Sequence, residues 1–135
     1  MDIEITKLPF EENLTREMLE NPETLAKFIV AILDSKKARD IKLLHVEKQT
    51  VIADYFVICT ANSTSHIKSL VDIVEFKMEE VGEPAHKREG DRNSGWIVLD
   101  FGCVIVHVFM EEAREFYDLE RLWADAQRVD IENLG

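Results

Sequence analysis

Residues 94–123 read SGWIVLDFGCVIVHVFMEEAREFYDLERLW, and this stretch decides the fold. It contains two apolar strand-like segments on either side of Gly102, followed by a charged helical segment that starts at Glu111. Two residues suffice to join antiparallel strands in a tight hairpin, so we predict a hairpin with Phe101 and Gly102 as its loop. That loop fixes three cross-strand pairs, namely Trp96 with His107, Val98 with Ile105, and Asp100 with Cys103.

The two faces of this hairpin differ in chemistry, because side chains alternate along a strand. The aliphatic face is the one expected to lie beneath helices, and it carries Ile97, Leu99, Val104, Val106 and Val108. The other face carries the six paired residues and so brings together an indole, a carboxylate and an imidazole. A tryptophan on an open sheet face commonly marks an interface; the alternative is that a helix or the N-terminal extension covers Trp96.

The charge balance of the chain is more informative than its size. With 135 residues, 46% of them hydrophobic and 32% charged, the chain is predicted to form one globular domain with a core that needs no metal or disulfide. Asp and Glu number 27 against 16 Lys and Arg, which gives a formal net charge of -11. This balance opposes direct nucleic-acid binding through phosphates and suits a basic partner, while general solubility is the alternative explanation.

Cysteine usage and hydropathy indicate the cytoplasm. Cys59 and Cys103 lie in apolar strand-like segments and are expected as small buried residues, since two cysteines do not make a disulfide framework. No apolar run approaches the roughly 20 residues of a membrane span, and the acidic N-terminus lacks the basic flank of a signal peptide.

Two helices are marked by clear start and stop signals. Asn21-Pro22-Glu23 is typical of an N-cap, a proline at the first helical position and an acid in the first turn, and this helix is predicted to end near Ala38. A longer helix follows residues 61–63 and is predicted to end at Gly82. Its core stripe consists of Ile67, Leu70, Val71, Val74, Met78 and Val81.

The strand signals complete an α/β pattern. Residues 41–46 and 51–60 are rich in β-branched and aromatic side chains and are predicted to pair as a hairpin, while residues 83–93 favour an edge strand or loop. A final amphipathic helix is predicted to follow the last strand, with a stripe of Phe116, Leu119, Leu122 and Trp123. The order of elements predicts one α/β domain with a mixed sheet of about five strands packed with helices.

The domain is predicted to span residues 22–128. Residues 1–21 are acidic with scattered apolar side chains, and we expect them to form a loosely ordered extension. Residues 129–135 are expected to form a polar tail.

Patterns for catalysis and metal binding are weak. The two cysteines lack the close ligand spacing of a zinc site with any of the four histidines, which are His45, His66, His86 and His107. The glycines stand singly, so no phosphate loop is predicted. Residues 60–65 could cradle an anion at the start of the long helix, with simple N-capping as the alternative. Asp54 and Asp100 lie in apolar strands, but neither has a second acid one residue away for metal chemistry. We predict no metal and no cofactor.

Several ordered motifs resemble the ribosomal silencing factors, also called RsfS or Iojap-like proteins. Residues 53–60 read ADYFVICT and are followed by Ser63 and His66; residues 95–100 read GWIVLD, Gly102 follows, and residues 104–109 read VIVHVF. The pattern is completed by Arg114, Tyr117, Leu119, Glu120, Leu122 and Trp123. The resemblance covers roughly residues 25–123. Cys103 departs from it, because the family commonly has an aspartate there.

This resemblance implies a nucleotidyltransferase-like fold without the catalytic motif, and a role that is not enzymatic. It implies binding to the large ribosomal subunit through the basic ribosomal protein uL-fourteen, which would sterically block the small subunit and repress translation under nutrient limitation. A role in large-subunit biogenesis is also implied. The implied partner-binding face consists of Trp96, Val98, Asp100, Cys103, Ile105 and His107. Secondary candidates are Asp54, Tyr55, Ser63 and Tyr117.

Two other classes of function stay open on the residues alone. A nucleotidyltransferase-like enzyme would bind nucleotide and a divalent metal around Asp54, Asp100 and Ser63. A structural module would use the face around Trp96 as a homodimer interface.

Overall fold

The predicted alternation of helices and strands is confirmed in the computed structural model, which describes residues 19–91 and 93–131. The helices are α1 (Pro22–Ser35), α2 (Thr64–Glu80), α3 (Glu111–Tyr117) and α4 (Leu119–Leu122). The strands are β1 (Arg39–His45), β2 (Tyr55–Ala61), β3 (Lys87–Asp91), β4 (Trp96–Asp100), β5 (Val104–Met110) and β6 (Gln127–Arg128). The part of the predicted extension in residues 1–18 and the part of the predicted tail in residues 132–135 lie outside the described residues.

The described strands form one mixed sheet in the order β3-β4-β5-β2-β1-β6. The central pair, β2 and β5, is parallel, and every other neighbouring pair is antiparallel. Because β2 and β5 have covered neighbours on both sides, nearly all of their residues are buried. Strand β5 therefore lies at the buried centre of the sheet.

Helix α1 begins as predicted but ends earlier. The Asn21 side chain accepts hydrogen bonds from the backbone N–H groups of Glu23 and Thr24 at 2.9 and 3.4 Å. The helix stops at Ser35 instead of near Ala38, because Lys37 adopts a left-handed conformation with φ of 63°. The N–H of Ala38 then turns back to donate to the Leu33 carbonyl at 3.1 Å, which closes the helix.

Helix α2 confirms both of its predicted ends. The Ser63 hydroxyl accepts a hydrogen bond from the His66 N–H at 3.0 Å, so Ser63 is the N-cap. Gly82 follows the last turn with φ of 83°, a conformation that glycine adopts without strain. The predicted stripe is buried along the helix except for Val81, which is half-buried.

The predicted hairpin of the first two strands is confirmed, with a longer connection. Strand β2 begins at Tyr55 rather than at residue 51, because the chain turns back at Val46, whose N–H donates to the Asp54 carbonyl at 2.8 Å. Val51 and Ile52 lie in this connection and are exposed, by 102% and 59%. Residues 83–93 contribute β3, an exposed edge strand, as one of the two predicted alternatives.

The predicted register of the β4–β5 hairpin is wrong by two residues. Gly102 and Cys103 form the loop, since the Phe101 N–H donates to the Val104 carbonyl at 2.9 Å. Gly102 takes the positive φ of 87° that the first loop position of a type II′ turn needs, and a bulky residue such as Phe101 is disfavoured there. The observed pairs are Trp96 with Phe109, Val98 with His107, and Asp100 with Ile105. Because the shift is even, the strand residues keep their predicted faces. Cys103 does not, since it moves into the loop and packs against the larger cluster on the opposite side of the sheet.

The predicted final helix is two short helices, α3 and α4. They are separated by Asp118, which has φ of 47° and therefore cannot continue a right-handed helix. After α4, β6 adds to the free edge of β1 by antiparallel pairing. This sixth strand was not predicted, and the beginning of the predicted polar tail packs on the core through Val129 and Ile131.

The sheet separates two apolar clusters of unequal size. The larger one lies between the sheet and α1 and α2, and it includes Ile97, Leu99, Val104, Val106 and Val108, as the aliphatic face predicted. The smaller one lies on the opposite face, under the segment 111–126. Within residues 19–91 and 93–131, no helix is long and apolar enough to cross a membrane.

Candidate docking surface

The face of the sheet opposite α1 and α2 is built from alternate residues of β4 and β5. We call it the aromatic face, and it carries Trp96, Val98, Asp100, Ile105, His107 and Phe109. Its three β4 side chains are half-buried, whereas its three β5 side chains are buried. The segment 111–126 packs on this face through Ala113, Leu119, Trp123 and Ala126. The face is thus open only along β4.

Four rings form a row of contacts that begins in the core and ends in solvent. This aromatic row consists of Phe109, Trp96, Tyr117 and Phe116. Trp96 stacks on Phe109 with ring centroids 4.9 Å apart, and Tyr117 lies 4.7 Å from Trp96. Phe116 meets Tyr117 edge-on at 5.0 Å. The exposed fraction rises from 0% at Phe109 to 47% at Tyr117 and 81% at Phe116, so the row connects a rigid strand to the surface.

Trp96 is held in place by a hydrogen bond to His107. The indole Nε1–H donates to Nδ1 of His107 at 3.3 Å, so the neutral imidazole carries its own proton on Nε2. That Nε2 is buried and has no hydrogen-bond partner among the described residues. Burial lowers the pKa of His107 from 6.5 to about 4, and the Phe56 ring packs against the imidazole at 76° with ring centroids 5.1 Å apart. His107 is therefore a neutral support beneath Trp96.

Acidic side chains lie at the turn end of the aromatic face. Asp100 accepts a hydrogen bond from the Gly102 N–H at 2.7 Å and so fixes the β4–β5 turn. The Cys103 carbonyl in the same turn accepts bonds from the N–H groups of Asp54 and Tyr55, which places Asp54 beside it. Burial raises the pKa of the Cys103 thiol, and the negative charge of Asp54 raises it further. Cys103 thus lies in the turn rather than on a strand, and its side chain packs against the larger cluster instead of the aromatic face.

The predicted candidates fall into two groups by position. Trp96, His107 and Tyr117 are in mutual contact through the aromatic row and its hydrogen bond. Tyr55 lies on the opposite face of the sheet, buried in the larger cluster and stacked on His45 at 4.6 Å. Ser63 caps α2, away from the aromatic face.

Arg114 fastens α3 over the sheet, a role that its charge alone did not predict. Its guanidinium donates to the Glu120 carboxylate, the Asp40 carbonyl and the Thr60 hydroxyl, each at 2.8 Å. The Arg114 side chain is only 12% exposed. These bonds join α3, α4, β1 and β2, so they set the position of the Tyr117 ring that follows.

Two residues of the predicted final stripe point outward. Phe116 and Leu122 are 81% and 75% exposed, whereas Leu119 and Trp123 pack against the smaller cluster. The prediction failed here because the break at Asp118 interrupts the helical period on which it rested. The sequence holds one indication of this exposure. Phe116 directly precedes Tyr117, a motif residue that is itself a candidate for partner binding.

A cleft of about 390 Å³ lies at the carboxyl ends of β2 and β5, near the segment that could cradle an anion. Asn62 and Thr64 line one side of it, and Arg39, Glu111 and Glu112 line the other. Arg39 is held by Glu111 at 3.9 Å, so the acids leave the cleft without excess positive charge for an anion. No group of three or more potential metal ligands occurs among residues 19–91 and 93–131.

Comparison with known proteins gives one consistent family. The family model described as "Ribosomal silencing factor during starvation" matches residues 19–135. The chain is 36% identical over 112 residues to the Ribosomal silencing factor RsfS of Bacillus subtilis, covering 83% of this chain and 95% of that protein. It is 34% identical over 98 residues to the mouse protein named Mitochondrial assembly of ribosomal large subunit protein 1, covering 70% of this chain and 43% of that protein.

A solved structure agrees with the sequence comparison. The crystal structure of a Chromobacterium violaceum protein superposes with a TM-score of 0.74 at 28% identity, covering 83% of this chain and 92% of that one.

Proposed function

The chain belongs to the RsfS family of ribosomal silencing factors, and from that premise we propose how it acts. It binds the large ribosomal subunit in the cytoplasm through the basic ribosomal protein uL-fourteen and sterically prevents the small subunit from joining. Translation is thereby repressed under nutrient limitation. The role is regulatory and needs no catalytic group. A contribution to large-subunit assembly is part of the proposal, in line with the name of the mouse relative.

The proposal depends mainly on one observation: helices bury one face of the sheet, whereas the aromatic face is only partly covered by the chain. Two long helices close one face, whereas the aromatic face is open along β4. There Trp96 is half-buried and held by His107, so it can contact a partner without a large loss of side-chain entropy. Asp100 and Asp54 give the turn end of the same face a negative charge, which suits a basic protein.

Co-sedimentation with purified large subunits tests the proposal. The wild-type chain is expected to pellet with large subunits and to reduce the light-scattering signal of subunit joining. Trp96→Ala is expected to weaken binding by at least about 10-fold, since buried aromatic anchors carry much of the binding energy of an interface. Trp96→Phe, which preserves a stacked ring, is the variant to use if the alanine variant unfolds.

The control is Lys68→Ala on the outer surface of α2, where the side chain forms an exposed ion pair with Asp72. It should bind as the wild type does. A wild-type chain that neither pellets with large subunits nor slows their joining would refute the proposal. A chain that binds yet leaves joining unchanged would remove the steric mechanism alone.

A further inference from the structure

Phe116 is exposed in a way that folding does not require. None of the seven residues of α3 is buried, and the Phe116 ring is 81% accessible to solvent. Single exposed apolar residues are common, but this one adjoins Tyr117, which is itself 47% exposed. The two rings meet at 86° and form one apolar projection on α3.

This projection is rigidly supported from below. Tyr117 rests on Trp96, Trp96 stacks on Phe109, and Phe109 is fully buried on the central strand β5. Arg114, one turn earlier in α3, is tied to the sheet by three hydrogen bonds of 2.8 Å. An aromatic anchor that is ordered before binding loses little entropy on binding, which is the condition for a strong contact.

The exposed charged side chains of α3 and of Asp118, which follows it, are negative, while α4 contributes one exposed cation, Arg121. Glu112, Glu115 and Asp118 are exposed, lie within four residues of Phe116, and form no ion pair with any described residue. Arg114, the arginine of the same helix, already donates hydrogen bonds to Glu120, Asp40 and Thr60, so its charge is directed toward the sheet rather than toward the projection. An RNA backbone would be repelled by this rim, whereas lysine or arginine side chains would be attracted.

We infer that Phe116 and Tyr117 are the anchor of a contact with a protein segment that offers an apolar pocket flanked by lysine or arginine. Glu112, Glu115 and Asp118 form the complementary rim of that contact. The inference rests on the proposed function and extends it, because it moves the centre of the contact from β4 to α3. Trp96 and His107 then serve as the supports of the anchor rather than as its exposed part.

Two pairs of matched variants test the inference with purified large subunits as the probe. Phe116→Ala is expected to weaken co-sedimentation by at least about 10-fold, as for a central anchor. Val51→Ala, which trims an even more exposed apolar side chain on the β1–β2 connection, should leave it unchanged. Glu115→Lys is expected to weaken binding most at low salt. Glu79→Lys makes the same charge change on α2 and should have a much smaller effect.

Photo-cross-linking identifies the molecule that contacts Phe116 in the complex. With p-benzoylphenylalanine at position 116, irradiation of the complex is expected to join the chain to a basic ribosomal protein. A product that contains ribosomal RNA, or a second copy of this chain, would overturn the inference. So would unchanged binding of Phe116→Ala and Glu115→Lys when the wild type binds. Absence of wild-type binding would refute the proposed function and the inference together, so the two failures are distinguishable.

Discussion

The two faces of the sheet show how the same strands serve stability and recognition separately. On the helix-covered face, α1 and α2 bury side chains such as Ile29 and Leu70 completely. On the aromatic face, α3 and α4 contribute no buried residue, although their segment packs on the sheet. The first face supplies most of the hydrophobic stabilisation. The second keeps its aromatic rings partly in water, where a partner can reach them.

The largest expected effect comes from opening the helix-covered face. Leu70→Ala leaves a cavity at a fully buried position and is expected to lower the free energy of unfolding by about 2–5 kcal/mol. The matched change on the aromatic face is Val98→Ala at a half-buried position, with an expected loss of about 1 kcal/mol. Urea denaturation measures both. Equal losses would show that the two faces share the stabilisation, contrary to the comparison.

The aromatic face should also make stability depend on pH. His107 has a pKa of about 4 in the folded chain and about 6.5 when unfolded, so the unfolded chain binds more protons between these values. The resulting contribution is fully present above pH 6.5 and is lost as the pH falls to 4. The loss is on the order of 3 kcal/mol.

The control for this prediction is His107→Phe, which removes the titrating group and the unpaired Nε2. The rings and aliphatic side chains that surround position 107, including Phe56, Trp96 and Val98, do not titrate in this range. All other side chains are the same in both proteins, so their contributions cancel in the difference. If wild type and variant lose the same stability between pH 6.5 and 4, the buried neutral imidazole is not the cause.

Local signals explain which helix ends could be predicted. Gly82 ends α2 with φ of 83°, and a glycine after an apolar stripe is a readable stop signal. Lys37 ends α1 by the same geometry, with φ of 63°. Lysine has no preference for this left-handed conformation, so the sequence does not indicate that the helix ends there. The break at Asp118 gives a weak signal, because aspartate adopts this conformation more often than lysine but far less often than glycine. Where a residue other than glycine takes this conformation, tertiary packing rather than local propensity decides.

The part of the candidate site that lies on β4 and β5 could be predicted from the alternation of side chains along the strands. Alternation placed Trp96 and His107 on one face, and that assignment survives the two-residue error in register because the error is even. It could not show that Tyr117 covers part of the indole, since that contact depends on how α3 returns across the sheet. The apolar stripe predicts that Phe116 packs on the core. The structure exposes it, because the position of α3 on the sheet is set by tertiary packing that the stripe does not reveal.

Loosening α3 without touching the rings gives an intermediate effect. Arg114→Ala removes three hydrogen bonds at a largely buried guanidinium and is expected to cost about 2–3 kcal/mol of unfolding free energy. It should also reduce the order of Tyr117 and weaken binding to large subunits. Arg121→Ala, on the exposed surface of α4, removes the same charge and should change stability by less than about 0.5 kcal/mol. Similar losses for both would argue against the role of Arg114 as a fastener.

The smallest effect on stability, and the sharpest on electrostatics, is expected at the turn of the aromatic face. Cys103 is half-buried in the β4–β5 loop, beside Asp54 and against the edge of the larger cluster, so Cys103→Asp should lower the unfolding free energy by no more than about 1 kcal/mol. It adds a negative charge beside Asp54, and binding to large subunits should fall more steeply with salt. Cys103→Ser is the neutral control and should keep the wild-type slope. An unchanged slope for the aspartate variant would place this turn outside the contact and leave α3 as its centre.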